Sequence, residues 1–586
     1  MKFLQSLLLS LLLLLGNICY GQEKQPDVQW FRDAKFGLFI HWGLYSQLGG
    51  TYKGKNYYGS GEWIMNRAKI SANEYAEIAK QFNPVDFNAE KWAQFAKDIG
   101  ARYVVITSKH HEGFSMYDSK ISDFNIVKAS PYGKDPMKFL SKAIRNKGLK
   151  FGFYYSQFLD WHEPNGGGNN WDFDENKKNY LKYYREKSIP QLKELLTNYG
   201  PLGLVWFDMP GGLSKEQTKK IIDSLHQLQP QALFSSRVGQ GLGDYKDFGD
   251  SEIPPSPVAD AWEAIYTHND SWGYIQHDLN FKTPEELIRL LANVSSKGGN
   301  LMVNIGPDGK GDIPYYSQQY LLEVGKWLKK FGDAIYGTTY GIIAAQPWGV
   351  TTSKPGLLFL HVMQRPANGK LLVPGFNATI TKVYQVDNKK DVKWEKSGTD
   401  LIVIIPELED KRNTVFAVNY SGELTGQSDS LRTQIVSQQY NVNELEAING
   451  TLSGNGKVET ITYSYYFGDW KHTTCITGLT DTSDAAIFKL RITEPGDFKV
   501  VLEYTCPDSS KNQEGVVEFN DNNQQLYFRT LHTSEENSSE PVLFIKHAIG
   551  IVHVDKPGQY FLKIHPYKNG GVSLFKMKDI LLVPVK

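Results

Sequence analysis

Ionisable and aromatic residues recur in this sequence directly after short apolar stretches. The clearest case is LGLVWFDMPGG, residues 202–212, in which an apolar run passes into Trp206 and Asp208 before a Pro-Gly-Gly turn. A single Asp at such a place is usually turn chemistry, so the inference depends on the recurrence. The other residues at the ends of such stretches, or in the loops after them, are His41, Glu62, Trp63, His110, His111, Glu112, Tyr154, Arg237, Asp250, Glu252 and Glu263.

Carboxylates among histidines and aromatic rings are typical of glycoside hydrolysis. A retaining glycosidase needs a nucleophile and an acid/base about 5–5.5 Å apart, with hydrogen-bonding groups for the sugar hydroxyls and aromatic faces for the ring. Asp208 is the candidate nucleophile. Glu62, Glu252 and Glu263 compete for the acid role, and their spacing in the sequence does not choose between them.

Two other functions fit the same residues. The histidines suggest a metal-dependent barrel hydrolase, but the first stretch offers only His41. His110 and His111 would point to opposite faces if they continued a strand, so the sequence favours no metal and no cofactor. A catalytically weak carbohydrate-binding protein is the second alternative. A pure binder has no need of Asp208, although a decayed enzyme could keep it.

The alternation of strands and helices indicates how these residues are brought together. From about residue 30 to 335, short apolar strands alternate with amphipathic helices, a pattern typical of a parallel sheet. Asp135 followed by Pro136, and Ser214 followed by Gln217, mark two helix starts. The predicted strands are 36–43, 102–109, 150–156, 202–208, 232–237, 260–266 and 300–306.

Seven or eight such strands over some 300 residues favour a (β/α)8 barrel over a doubly wound sheet. No GxGxxG motif follows any of them, which further disfavours a nucleotide-binding sheet. In a (β/α)8 barrel the site lies at the carboxyl ends of the strands, where Asp208 and the histidines occur.

The helical pattern stops near residue 340 and short β-like runs follow. We therefore predict an α/β fold, a TIM-like (β/α)8 barrel followed by two all-β sandwich domains. The predicted bounds are 22–338 for the barrel, 339–425 for the first sandwich, 426–444 for a linker and 445–586 for a jelly-roll sandwich. The last domain is either a carbohydrate-binding module or a structural spacer.

Composition limits the partners of the protein. Lys+Arg and Asp+Glu number 64 each, and this balance gives no support to nucleic acid, which binds basic surfaces. Residues 1–21 contain a Leu-rich run typical of a signal peptide, cleaved before Gln22. The sequence thus predicts an exported protein, periplasmic or extracellular, with no spanning segment after cleavage. Ile18 disfavours lipoprotein anchoring through Cys19, and the pairing of Cys475 with Cys506 stays open.

Six motifs together resemble glycoside hydrolase family 29, the α-L-fucosidases, over residues 28–340. They are AKFGLFIHWGLYS (34–46), GEWIMNR (61–67), TSKHHEGF (107–114), FYYS (153–156), VWFDMP (205–210) and SSKGGNLMVNIGPDGKGDIP (295–314). The resemblance implies an irregular (β/α)8 barrel with a β-sandwich after it. It also implies an exo-acting enzyme that hydrolyses terminal α-L-fucosyl linkages with retention, through a covalent fucosyl-enzyme. The expected partner is a fucosylated oligosaccharide or glycoconjugate, with linkage left open.

The resemblance also implies roles for individual residues. Asp208 matches the family nucleophile, and Glu252 in DFGDSE stands where the family has its acid/base, with Glu263 and then Glu62 as alternatives. Trp272 in SWGY is expected to cover the methyl side of the sugar. The full set of implied substrate-binding residues is His41, Glu62, Trp63, His110, His111, Tyr154, Trp206, Arg237 and Trp272.

Overall fold

The computed structural model describes most of the chain. The described residues are 26–424, 433–464, 470–519, 524–535 and 542–586. The predicted signal peptide and Cys19 therefore lie outside the described residues.

Eight parallel strands form the sheet of the first domain. The strands are β1 (Phe36–Ile40), β2 (Tyr103–Lys109), β3 (Lys150–Ser156), β4 (Leu204–Asp208), β5 (Leu233–Phe234), β6 (Lys246–Asp250), β7 (Trp262–Thr267) and β8 (Asn300–Ile305). Their order in the sheet is β5-β4-β3-β2-β1-β8-β7-β6, and every neighbouring pair runs parallel. A parallel bridge between Ser235, next to β5, and Tyr245, next to β6, joins the two outer strands. The predicted TIM-like barrel is thus confirmed.

Helices follow most of these strands, and two predicted helix starts are present. The Asp135 side chain accepts from the Lys138 backbone N–H with Pro136 in the first turn, and Ser214 and Gln217 form a capping box. The barrel is irregular because no α-helix lies between β5 and β7 in this described region. The helices are Gln29–Ala34, Tyr45–Leu48, Ile64–Arg67, Ala72–Ile78, Ala89–Asp98, Pro136–Asn146, Tyr180–Tyr183, Ile189–Asn198, Lys215–His226, Pro284–Ser296 and Tyr315–Phe331.

The barrel interior is filled by large side chains. Because side chains alternate along a strand, every second residue of a barrel strand points inward. On β4 the buried interior residues are Leu204 and Trp206, which pack with Phe39, Tyr154 and Met302. The same alternation directs Asp208, the last residue of β4, towards the barrel mouth.

The first sandwich packs directly on the barrel. Phe359 and Val415 of the sandwich belong to the same apolar core as the barrel helices, and Trp327 Nε1 donates to the Asn413 carbonyl oxygen at 2.7 Å. Its strands are Thr339–Tyr340, Gly349–Lys354, Leu357–Val362, Thr379–Gln385 and Thr414–Ser421 in one sheet, and Lys370–Val373, Trp394–Ser397 and Asp400–Ile404 in the other.

The second sandwich begins within the range predicted as a linker. Gln434–Val436 pairs in parallel with Ala485–Ile492, and Asn443–Glu446 pairs with Lys576–Pro584. Cys475 and Cys506 are both buried. The remaining strands are Thr451–Ser453, Lys457–Ser464, Trp470–Thr477, Gly496–Thr505, Glu514–Phe519, Gln524–Arg529, Ile545–Val554 and Gly558–Pro566.

Across the described residues, none of the helices has the length and apolar character that crossing a membrane requires.

Candidate active site

A cleft opens at the carboxyl ends of the barrel strands. Its empty volume, including the space open to solvent, is about 530 Å³. Asp208 and all nine predicted substrate-binding residues line it, whereas Glu252 and Glu263 do not. The lining residues are Phe39, His41, Ser60, Glu62, Trp63, His110, His111, Tyr154, Trp206, Asp208, Met209, Arg237, Asp250, Ile265 and Trp272.

Both oxygens of the Asp208 carboxylate have hydrogen-bond donors. Tyr154 donates its hydroxyl to Oδ2 at 2.7 Å, and the Met209 backbone N–H donates to Oδ1 at 2.9 Å. Arg237 Nη1 lies 3.5 Å from Oδ1 and His111 Nε2 lies 3.5 Å from Oδ2. Burial raises the pKa of Asp208, and the Arg237 charge and the Tyr154 hydrogen bond oppose that rise. Donors of this kind favour the ionised carboxylate that a nucleophile needs.

The two adjacent histidines enter the same cleft. Strand β2 ends at Lys109, so His110 and His111 lie beyond it. The expectation that the two side chains point to opposite faces of a strand therefore does not apply. Their ring centroids are 4.1 Å apart. One nitrogen of each and a carboxylate oxygen of Asp208 lie within 4.8 Å of one another, a spacing at which they could share a metal ion.

The histidines of the cleft are neutral near pH 7. Burial lowers the pKa of His41 to about 4 and that of His111 to about 3, and it lowers the pKa of His110 well below its usual range. His41 Nδ1 is hydrogen-bonded to Asn304 Oδ1 at 2.6 Å, and His111 Nδ1 to Ser156 Oγ at 2.7 Å. A neutral imidazole has one donor and one acceptor nitrogen, which suits it to bind sugar hydroxyl groups.

Two carboxyl groups besides Asp208 face the cleft. Glu62 lies in the turn Gly61–Trp63 and accepts from the Gly273 backbone N–H at 2.7 Å. Burial raises the pKa of Glu62 to about 7, and that hydrogen bond opposes the rise. Asp250 is the last residue of β6 and accepts from Nη2 of Arg237. The Arg237 guanidinium therefore contacts both Asp208 and Asp250.

The other two predicted acid/base candidates lie elsewhere. Glu263 is the second residue of β7, near the amino end of the strand and far from the mouth of the barrel. It is fully buried, accepts from Trp206 Nε1 at 3.1 Å and from the Tyr103 hydroxyl, and burial raises its pKa to about 8. Glu252 lies outside the cleft, with Oε2 at 4.0 Å from His472 Nε2.

Aromatic rings form one wall of the cleft. Tyr154 stacks on Trp206 at 5.6 Å and on His110 at 5.1 Å. Trp63 and Trp272 enter from loops, and Trp272 packs 5.4 Å from the ring of His41, a residue of the cleft. Ring faces of this kind bind the apolar face of a sugar or a methyl group.

Five lining residues received no assigned role from the sequence. Phe39 and Ile265 are inward positions of β1 and β7, which strand periodicity could have identified. Asp250 was recognised only as one acid in DFGDSE. Ser60 and Met209 have no sequence signal that we can name.

Comparison with known proteins gives one consistent family. The family model described as Alpha-L-fucosidase matches residues 20–333. Plasma alpha-L-fucosidase of Rattus norvegicus is 31% identical over 426 residues, which cover 66% of this chain and 89% of that protein.

Two solved structures are also similar. The alpha-L-fucosidase from Vibrio sp. strain EJY3 has a TM-score of 0.76 and 28% identity, covering 95% of this chain and 97% of that one. The GH29 alpha-L-fucosidase from Bacteroides thetaiotaomicron has a TM-score of 0.63 and 30% identity, covering 69% of this chain and 98% of that one. With the match to the family model, which spans more than half of the sequence, these similarities show that the chain belongs to the α-L-fucosidases of glycoside hydrolase family 29.

Proposed function

We propose that this protein is an exo-acting, retaining α-L-fucosidase that releases terminal α-L-fucosyl groups from oligosaccharides or glycoconjugates. In this proposal Asp208 is the nucleophile and Asp250 is the acid/base. The observation that supports it best is the pair of carboxyl groups, Asp208 and Asp250, bridged by Arg237 within one cleft. Such a bridge is compatible with the short carboxyl separation of retaining enzymes, about 5–5.5 Å.

Position in the cleft favours Asp250 over Glu62 as the acid/base. An exo-acting enzyme encloses the terminal sugar, so the leaving group and the incoming water lie towards the opening. The Asp250 side chain is 23% exposed, whereas Glu62 is 1% exposed. Glu62 is thus placed to hold a hydroxyl of the enclosed sugar, and Asp250 is placed to exchange a proton with the leaving oxygen.

The reaction proceeds in two displacements at C1 of the sugar. An Asp208 oxygen attacks C1, the bond from C1 to the leaving oxygen breaks, and that oxygen keeps the electron pair and takes a proton from Asp250. Asp250 then takes a proton from water, whose oxygen attacks C1 and frees the Asp208 carboxylate. Two inversions at C1 give net retention.

The neutral histidines and the aromatic wall supply specificity. Because Nδ1 of His41 and Nδ1 of His111 are already hydrogen-bonded to Asn304 and Ser156, Nε2 of each ring is the nitrogen left to bind a sugar hydroxyl group, and His110 adds a third neutral ring beside them. Fucose is a 6-deoxy sugar, and its methyl group needs an apolar surface, which Trp272 can provide. A sugar with a hydroxymethyl group in this place would have to bury a hydroxyl without a partner, at a cost of about 1–3 kcal/mol.

Azide rescue of two variants tests the assignment of the two carboxylates. In Asp208→Ala the vacated face lets azide attack C1 directly on an activated fucoside, and the product is the inverted β-fucosyl azide. In Asp250→Ala the covalent intermediate still forms, azide replaces water, and the product is the α-fucosyl azide. Glu252→Ala is the matched comparison from the same loop. If Glu252→Ala alone gave α-fucosyl azide, Glu252 and not Asp250 would be the acid/base.

We also infer that the protein is exported to the periplasm or the medium. The support is the Leu-rich run of residues 1–21. Amino-terminal sequencing of the protein recovered from the periplasm or medium should begin at Gln22. Recovery of an uncleaved chain in the cytoplasm would contradict export.

A further inference from the structure

The second sandwich reaches the loop that follows the proposed acid/base. On its strand Trp470–Thr477, His472 Nδ1 donates to the Asp250 carbonyl oxygen at 2.6 Å. The other ring nitrogen, Nε2, lies 4.0 Å from Glu252 Oε2. One imidazole therefore contacts two of the three acidic residues of the DFGDSE segment, Asp250 and Glu252, and 222 positions of sequence separate His472 from Asp250.

The backbone of β6 is fitted closely to this imidazole. A Cβ atom at Gly249 would lie 2.5 Å from Cε1 of His472 and 2.7 Å from Oε2 of Glu252, closer than non-bonded atoms approach. Ser251, two residues on, has a φ of 57°, a left-handed conformation that costs free energy in a residue other than glycine. The Asp250 segment is thus held in a specific conformation by its neighbours, and His472 is one of them.

The adjacent residue of the same strand contacts a second loop of the cleft. Lys471 Nζ lies 3.8 Å from Oδ1 of Asp270. Asp270 is buried and accepts from Asn280 Nδ2 at 2.7 Å, and it precedes Trp272 by two residues. Neighbouring side chains of one strand therefore contact the loop of Asp250 and the loop of Trp272, both of which line the cleft.

We propose that His472 is a positioning residue for the acid/base, and that the strand Trp470–Thr477 supports the leaving-group side of the cleft. The hydrogen bond from His472 fixes the main chain of Asp250, so that the carboxyl group faces the leaving oxygen. This inference rests on the proposed role of Asp250. The second sandwich then contributes to catalysis through the barrel loops that it holds.

The test compares fucosides whose leaving groups need different amounts of proton donation. His472→Ala should lower kcat/KM on a fucosyl-galactose disaccharide by about 10-fold or more, part of the 10²–10⁴-fold that general acid catalysis contributes. On 2,4-dinitrophenyl α-L-fucoside, whose leaving group departs without a proton, kcat/KM, which reports the first displacement, should change less than about 2-fold on the same reasoning. His472→Asn keeps an N–H donor and should recover part of the loss.

Two further variants make the result decisive. His553 is an exposed histidine of the same sandwich. The matched control is therefore His553→Ala, which should leave kcat/KM on both substrates unchanged. Gly249→Ala should displace the imidazole and reproduce the leaving-group dependence of His472→Ala, which keeps the test available if that variant folds poorly. Circular dichroism and thermal unfolding report on folding.

Other outcomes separate this inference from the function itself. Equal losses on both substrates, or no loss on either, in His472→Ala would overturn the positioning role. In that case a strong leaving-group dependence in Asp250→Ala would still support Asp250 as the acid/base, with no role for His472. If Asp250→Ala showed none, the acid/base assignment would fail and the role of His472 would fail with it.

Discussion

Removal of one hydroxyl beside Asp208 should move the acid limb of the pH–rate profile. Tyr154 donates to Asp208 Oδ2 at 2.7 Å, and burial raises the pKa of Tyr154 well above its usual range, so the hydroxyl remains a donor at every pH assayed. Its ring stacks between His110 and Trp206, and Phe preserves that packing. Tyr154→Phe therefore deletes one hydrogen bond to a buried carboxylate and little else.

The size of the effect follows from the strength of that bond. A hydrogen bond to a charged group contributes about 1.5–3 kcal/mol. One pKa unit corresponds to about 1.4 kcal/mol, so the loss should raise the pKa of Asp208 by about 1–2 units. The sign is upward because the deleted donor stabilises only the ionised form. Since attack requires the ionised form, the acid limb of kcat/KM should move to higher pH by the same amount.

The assay is kcat/KM for 4-nitrophenyl α-L-fucoside across the acid range. Tyr155→Phe is the matched control because it makes the same change one residue along β3. The Tyr155 hydroxyl is buried and donates to Gln191 Oε1 at 2.9 Å, outside the cleft. The acid limb of the Tyr155→Phe profile should stay at the wild-type pH. An unmoved acid limb in Tyr154→Phe would refute the role of Asp208 as the group that titrates there.

Three further results are expected. Glu263→Gln should lower kcat by less than about 10-fold, because the variant loses about one hydrogen bond with Trp206 and no contact with the sugar. Azide should not restore its activity. Formation of a fucosyl azide would instead make Glu263 the acid/base. Treatment with EDTA should leave activity unchanged, whereas loss of activity that zinc restores would favour a metal at His110 and His111. If residues 445–586 bind glycans, the exposed rings of Tyr527 and Tyr567, 5.0 Å apart, are a suitable binding surface. Replacing both with Ala should then weaken retention of the protein on immobilised fucosylated glycan without changing turnover of a nitrophenyl fucoside. Unchanged retention would contradict a binding role for these two rings.

The sequence predicted the barrel best where strands are fully buried. The stretches 102–109 and 202–208 contain the apolar runs YVVI and LGLVWF, and the strands observed there, Tyr103–Lys109 and Leu204–Asp208, end at the predicted residues. Buried strands of a parallel sheet need such runs because both faces are covered. The position of Asp208 at a strand end was readable for that reason.

Strand β6 was missed for the opposite reason. Its residues, KDFGD, include only one apolar side chain, Phe248, and are partly exposed, so no apolar run marks it. Because Asp250 ends this strand, the sequence could not predict that Asp250 lies at the cleft either. Glu263, in contrast, lies inside the predicted strand 260–266, and that position already argued against a role at the strand end. The contact of His472 with Asp250 joins two domains, and no local pattern could predict it.

Trapping the covalent intermediate tests directly whether Asp208 is the nucleophile. A 2-deoxy-2-fluoro-α-L-fucosyl fluoride slows both displacements, since fluorine at C2 disfavours the oxocarbenium-like transition state, while the good leaving group lets the first displacement proceed. Mass spectrometry of a proteolytic digest should then find the fluorofucosyl group on the peptide that contains Asp208 and on that carboxylate. A label on another carboxylate, or steady release of fluoride with no labelled peptide, would contradict the proposed mechanism.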